Sequence, residues 1–131
     1  MNHAGKHFHM SEDYESNSSS QKTIGHSVIQ CAVEMAKLEL GDIQTIKALD
    51  IACGPGNLTI EFLHALEHNF PDATIDLAGL DYSEENVNRL IINSAGAVQG
   101  IVGSFYNLPT VRTNQNIIIS NVMHLYFHAK I

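Results

Sequence analysis

The chain has 131 residues, a formal net charge of −7, 44% hydrophobic residues and 16% charged residues. This length allows one domain with a real core, although it is small for a doubly wound α/β enzyme. The few Lys and Arg residues supply little charge to neutralise phosphates, which argues against a nucleic acid or an anionic membrane as partner.

Cysteine usage and hydropathy favour a cytoplasmic protein. Cys31 falls in a helical pattern and Cys53 at a strand end, so the two form no disulfide framework and a reducing compartment is expected. No apolar run approaches the roughly 18 residues of a membrane span, so no membrane partner is expected. The polar first residues are not typical of a signal peptide.

The first part of the chain divides into a leader and a helix. Residues 1–20 are polar and rich in histidine and serine, which predicts a flexible leader, and residues 21–131 are predicted to form the domain. Apolar residues recur at helical spacing from Thr23 to Leu40, and Gly41 ends this predicted helix.

Strands and helices then alternate. Strands are predicted at 45–53, 74–81, 98–105 and 116–122, and helices at 58–70 and 83–94. This alternation is typical of βαβ units with right-handed crossovers and a parallel sheet. The strand order 3-2-1-4 places the switch point beyond the carboxyl ends of the first and fourth strands, where open α/β sheets bind ligands.

A glycine-containing turn joins the first strand to the next helix. Gly54 and Gly56 lie between a buried strand and a helix, an arrangement that brings bare backbone and a helix N-terminus against a nucleotide-like ligand. The NAD fingerprint requires a third glycine, but Thr59 stands at that position. Asp50 on the strand favours a cationic ligand over a pyrophosphate. Asp81, at the end of the second strand, suits ribose hydroxyls in either kind of site.

These stretches resemble the class I S-adenosylmethionine-dependent methyltransferases. Leu49–Asn57 resembles the first motif, Gly79–Ser83 the second and the later strands the third and fourth, so the resemblance spans residues 47–127. It implies a Rossmann-like, three-layer α/β methyltransferase fold with S-adenosylmethionine as cofactor.

The resemblance also assigns parts of the cofactor to residues. It places the backbone of Gly54 and Gly56 along the methionine part, Asp81 on the ribose and Asp50 near the aminocarboxypropyl end. The predicted cofactor site includes three further residues of the same motifs: Cys53, Asn57 and Tyr82.

Two other stretches are similar to the SABATH group, which methylates small-molecule carboxylates. Residues 14–21 resemble its Tyr-x-x-Asn-Ser-x-x-Gln opening, and residues 103–106 resemble its Gly-Ser-Phe-Tyr segment. By position, Tyr14, Ser18 and Gln21 would close over cofactor and substrate. Ser104 and Phe105 would bind adenine. The glycine turn departs from the group because it is one residue shorter.

The substrate side of the site is less defined. Asn121 follows the fourth predicted strand and joins the predicted cofactor site, and His124 and Tyr126 are candidates for substrate contact. A carboxylate acceptor is ionised at neutral pH and needs no general base, whereas a hydroxyl or amine acceptor would use His124. His64 and His68 have metal-ligand spacing, but a solvated helix face is predicted there and no metal is expected.

The end of the sequence raises a question about the rest of the sheet. A class I sheet has more strands than the four predicted here, and residues 117–119 suit a strand with neighbours on both edges. The fold is therefore predicted to be truncated before its later strands, as the N-terminal part of a longer protein. Otherwise, a homo-oligomer would cover the exposed edge of the fourth strand.

The predicted function is methyl transfer to a small-molecule acceptor, for which a carboxylate is one candidate. The alternative is a non-catalytic methyltransferase-like module that binds cofactor or partner, and an NAD-dependent dehydrogenase is the third possibility.

Overall fold

The computed structural model describes residues 11–104, 114–120 and 126–127. The helices in these residues are α1 (Ser11–Glu39), α2 (Asn57–Asn69) and α3 (Glu84–Asn93). The strands are β1 (Thr45–Ile51), β2 (Thr74–Asp81), β3 (Gln99–Val102), β4 (Ile117–Ile119) and β5 (Tyr126–Phe127). They form one sheet in the order β3-β2-β1-β4-β5.

The first four strands of the chain, β1 to β4, are parallel, which confirms the predicted order 3-2-1-4. β1 pairs with both β2 and β4, and β2 pairs with β3. β1 ends at Ile51, earlier than predicted, because Ala52 has a φ of +59° and leaves the extended conformation.

β4 has neighbours on both edges at Ile117 and Ile118, as the sequence predicted for a strand of this composition. β5 pairs with it in antiparallel orientation, with Ile117 opposite Phe127 and Ile118 opposite Tyr126. The sequence-based prediction placed no strand after the fourth, and β5 corrects it; the homo-oligomer stays a prediction.

The first helix begins at Ser11, well before the predicted Thr23. No glycine or proline interrupts the chain between Ser11 and Ile24, so no residue of this stretch breaks the helix. The helix therefore crosses the predicted leader–domain boundary at residue 20. The flexibility of the leader stays a prediction. No helix in the described ranges is long and apolar enough to cross a membrane.

Apolar side chains form clusters on both faces of the sheet. The larger cluster joins α1, α2 and α3 to one face, through residues such as Ala32, Phe62 and Leu90. The smaller one lies on the opposite face and contains Leu49, Ile51, Ala78 and Leu80. Because side chains alternate along a strand, Asp50 lies on the face that the helices cover.

The N-terminal part of α1 extends past the carboxyl edge of the sheet. The C-terminal end of α1 is followed by the start of β1. A Cβ at Gly25 would collide with Leu58 in the first turn of α2. Gly25 therefore lies at the level where α2 begins, directly after the glycine turn. At 1.5 Å per residue, residues 11–24 extend roughly 20 Å beyond this level.

Candidate functional site

The turn between β1 and α2 has an unusual backbone conformation. Ala52, Gly54 and Gly56 have φ values of +59°, +59° and +98°. The Cys53 amide donates to the Leu80 carbonyl at 3.0 Å, and the Gly56 amide donates to the Cys53 carbonyl at 3.3 Å. The turn is therefore folded back on itself and fixed to the end of β2.

The two glycines of the turn serve different purposes. A Cβ at Gly56 would collide with the Leu90 side chain of α3, so packing as well as φ requires glycine there. A Cβ at Gly54 would meet no described atom within 4 Å. The backbone at Gly54 is therefore open to the approach of a ligand.

Asp81 joins the loops that follow three neighbouring strands. Its Oδ2 accepts a hydrogen bond from the Gly54 amide at 2.9 Å, and its Oδ1 accepts one from the Ser83 amide at 2.8 Å. Its carbonyl oxygen accepts one from the Gly103 amide at 3.0 Å. Each carboxylate oxygen has a second lone pair, so Asp81 retains acceptor capacity for ribose hydroxyls.

Asp50 is a buried carboxylate held by a side chain of the next helix. It is 4% exposed, and its Oδ2 accepts a hydrogen bond from the Thr59 hydroxyl at 2.6 Å. Burial raises the pKa of Asp50 to about 7; the hydrogen bond from Thr59 opposes this rise and the charge of Asp81 adds to it. Asp50 thus changes its charge near neutral pH.

Cys53 is close enough to Asp50 and Asp81 to be affected by their charges, and its thiol is unreactive. Burial raises the pKa of its thiol to about 12, with additional contributions from the negative charges of Asp50 and Asp81. Its Sγ donates to the Gly54 carbonyl at 3.4 Å. The thiol is protonated at neutral pH and is therefore a poor nucleophile.

The structure brings a subset of the predicted cofactor residues together at the carboxyl edge of the sheet. Those joined by the contacts above are Asp50, Cys53, Gly54, Gly56 and Asp81. Asn57 is exposed at the start of α2, and Tyr82 is 85% exposed directly after Asp81. Ser104 follows Gly103, whose amide is bonded to the end of β2.

Other predicted residues lie farther along the chain. Tyr126 is the first residue of β5 and pairs with Ile118. Phe105, Asn121 and His124 lie outside the described residues.

The positions of Tyr14, Ser18 and Gln21 fall on one face of α1. Steps of three and four residues return to the same side of a helix, and one further step of four reaches Gly25. Gly25 is the position that packs against Leu58 of α2. The three positions therefore continue, beyond the carboxyl edge of the sheet, the face of α1 that contacts α2.

Sequence reasoning missed the contribution of Thr59. It considered this residue as the position of a missing third glycine, whereas the structure shows a buried hydroxyl bonded to Asp50. The signal available was the spacing: a strand acid and a threonine in the first turn of the following helix face each other across a tight turn. Sequence reasoning also missed that backbone amides of Gly54 and Ser83 bind the Asp81 carboxylate.

Solved structures with similar folds include several methyltransferases. A putative S-adenosyl-L-methionine-dependent methyltransferase from Methanococcus maripaludis is 20% identical, with a TM-score of 0.51 over 88% of this chain and 52% of that one. A putative class I enzyme from Listeria monocytogenes is 19% identical, with a TM-score of 0.57 over 72% and 30%. The plantazolicin methyltransferase BamL, in complex with a triazolic desmethylPZN analog and SAH, is 20% identical, with a TM-score of 0.56 over 80% and 36%.

These comparisons identify the fold as the Rossmann-like fold of class I methyltransferases. The chain spans between 30% and 52% of the length of these three structures. No family profile matches the sequence, and no curated protein matches it.

Proposed function

We propose that this chain binds S-adenosylmethionine at the glycine turn and supports methyl transfer to a small-molecule acceptor. The observation that carries the proposal is the bond from the Gly54 amide to the Asp81 carboxylate at the carboxyl edge of a class I fold. This bond holds the Asp81 carboxylate, which we propose as the ribose acceptor, beside an open stretch of backbone. Both features suit an adenosine ligand that continues into an amino acid.

The residues present fit the charge of the cofactor. S-adenosylmethionine supplies a methyl group activated by a sulfonium centre, and it carries positive charge on the sulfonium and the amino group. Asp50 and Asp81 provide negative charge on both sides of the turn, and Gly54 leaves the backbone accessible. A cation beside Asp50 favours the ionised carboxylate, so binding of the ligand and ionisation of Asp50 support each other.

For the reaction itself, the chain has to align the groups and exclude water. We assign the exclusion of water to residues 11–24 of α1, which precede Gly25 at the level where α2 begins. Cys53 is protonated at neutral pH and does not compete for the methyl group.

The proposed acceptor is a small carboxylate. The support comes from the SABATH-like stretches at 14–21 and 103–106, and from the shared helix face of Tyr14, Ser18 and Gln21. In this proposal, the amide N–H groups of Gln21 orient the acceptor carboxylate, which is already ionised and requires no general base. We also propose that Ser104 contacts the adenine; it follows Gly103, whose amide is bonded to the Asp81 carbonyl at the end of β2.

Calorimetric titration of the full chain with S-adenosylhomocysteine and, separately, with NAD tests the cofactor. We expect binding of S-adenosylhomocysteine and none of NAD; binding of NAD alone would overturn the proposal in favour of a dehydrogenase. Transfer of labelled methyl from S-adenosylmethionine to a panel of small carboxylic acids then tests the reaction. Cofactor binding without transfer to any acid, amine or hydroxyl compound would indicate a non-catalytic module.

A further inference from the structure

We propose that Thr59 is a positioning residue of the cofactor site, whose hydroxyl orients the Asp50 carboxylate and favours its ionised form to receive the cationic end of the ligand. The inference rests on the proposed function, because it assigns a part of the same site to the aminocarboxypropyl group. It concerns a residue that does not itself touch the ligand.

The geometry of the pair is that of a strong hydrogen bond. Thr59 is fully buried in the first turn of α2, and its Oγ1 lies 2.6 Å from Oδ2 of Asp50. This distance falls in the range for a hydroxyl that donates to an ionised carboxylate, which is shorter than for neutral pairs. The bond also connects β1 directly to α2 across the glycine turn, so the position of Asp50 is fixed relative to Gly54.

The described residues supply no hydrogen-bond partner to the second carboxylate oxygen of Asp50. This atom is Oδ1, and the side chain that carries it is 4% exposed. Buried polar atoms in proteins are almost always bonded to protein, water or ligand. An ammonium group would supply both the missing donor and the opposite charge.

The charges around Asp50 show why the hydroxyl matters. The titratable groups that act on it in the described part of the chain are Asp81 at the end of β2 and Cys53 in the turn. Asp81 opposes ionisation of Asp50, and so does burial, whereas the Thr59 hydroxyl favours it. Without this hydroxyl, a larger fraction of Asp50 would be protonated at neutral pH and would offer the ligand a neutral group.

Two variants of Thr59 distinguish the effect of its hydroxyl from the effect of its side-chain shape. Thr59→Val removes the hydroxyl at nearly constant volume, and Thr59→Ser retains the hydroxyl and removes a methyl group. Titration of the Asp50 side-chain carboxyl by carbon-13 NMR, without ligand, should give a higher midpoint in Thr59→Val than in the wild type. Thr59→Ser should keep a midpoint near that of the wild type.

The same variants are then titrated with S-adenosylhomocysteine between pH 6 and pH 9. We expect the wild-type affinity to rise with pH through about 7 as Asp50 ionises. Thr59→Val should bind about tenfold more weakly at neutral pH, with its rise displaced to higher pH. In an Asp50→Asn background, Thr59→Val should change the affinity by less than about twofold, because the two residues act as a unit.

Each result has a distinct meaning. An unchanged pH profile of binding in Thr59→Val, or an equal loss of affinity in the Asp50→Asn background, would overturn the positioning role. An unchanged NMR midpoint in Thr59→Val would overturn the effect on ionisation whether or not a ligand binds. If the wild type bound no S-adenosylhomocysteine, the proposed function would fail and this inference with it, and the NMR titration would show whether Thr59 still controls Asp50. A Thr59→Val chain that loses its helical circular dichroism is replaced by Thr59→Ala in the same comparisons.

Discussion

The ends of β1 and β2 each carry an acid at the same edge of the sheet, but the two acids are held in different ways. Asp81 accepts hydrogen bonds from two backbone amides, those of Gly54 and Ser83. Asp50 accepts one from a single side chain, that of Thr59. The chain after Asp81 enters α3 through Ser83, an ordinary N-cap that accepts a bond from the Asn86 amide at 3.2 Å. The chain after Asp50 passes through left-handed residues before α2 begins.

Because of this difference, the position of Asp81 is fixed, whereas the protonation of Asp50 can change. Asp81 organises backbone, so its position is determined by the loops that it joins. Asp50 is sensitive to its surroundings because one hydroxyl opposes the cost of burial, and a ligand can change that balance. The β1 end is therefore the part of the site where ligand charge and protonation are coupled.

The largest expected effect concerns the pH dependence of stability. Burial raises the pKa of Asp50 from 3.8 to about 7, so the folded chain binds this proton more tightly than the unfolded chain. Its stabilising contribution is complete below about pH 4 and is lost as the pH rises to about 7, a change of about 4 kcal/mol. Asp50→Asn cannot ionise, so we expect its stability relative to the wild type to increase by this amount between pH 4 and pH 8.

Urea unfolding of both proteins at several pH values measures this change. Asp72→Asn, at an exposed position, is the matched control and should follow the wild-type pH dependence. A constant difference between Asp50→Asn and the wild type across this range would show that Asp50 does not titrate near neutral pH.

The next effect distinguishes the two glycines of the turn. Gly56→Ala adds a methyl group that collides with Leu90 at a φ of +98°, and we expect it to reduce the free energy of unfolding by about 3 kcal/mol. Gly54→Ala has the strained φ without the collision and should cost about 1 kcal/mol. Gly54→Ala should nevertheless weaken the binding of S-adenosylhomocysteine, because its methyl group occupies the open side of the turn. Equal losses of stability in the two variants would contradict this distinction.

A smaller effect is expected on affinity at the β2 end. Asp81→Ala removes the proposed ribose acceptor and should weaken the binding of S-adenosylhomocysteine by about 2 kcal/mol, or roughly thirtyfold. Because the charge of Asp81 raises the pKa of Asp50, Asp81→Ala also favours the ionised form of Asp50, so the loss should be smaller at pH 6 than at pH 8. Calorimetry at the two pH values makes the comparison, and unchanged affinity would remove Asp81 from the site.

Local patterns were sufficient for most of the architecture. Alternating strands and helices predicted the order 3-2-1-4, and Ser83 was correctly predicted as the start of α3. The pairing of β5 with β4 was missed because it forms only when the chain is folded. The bond between Thr59 and Asp50 was missed although the spacing offered a signal, because Thr59 was considered only as the position of a missing glycine. Serine-rich residues before Thr23 have weak helix propensity, which explains why the N-terminal part of α1 was missed.

Ala52 provides the smallest test of the β1 end. Its φ of +59° costs an alanine about 1 kcal/mol or more, and its exposed methyl group contributes little to the core. Ala52→Gly removes this strain but adds freedom to the unfolded chain, which offsets part of the gain. We therefore expect stabilisation of about 0.5 kcal/mol in urea unfolding, whereas Ala48→Gly, in the buried and extended part of β1, should destabilise the chain. A loss of stability in Ala52→Gly as large as that in Ala48→Gly would show that the left-handed turn at the end of β1 does not form. The arrangement that exposes the backbone of Gly54 would then be wrong as well.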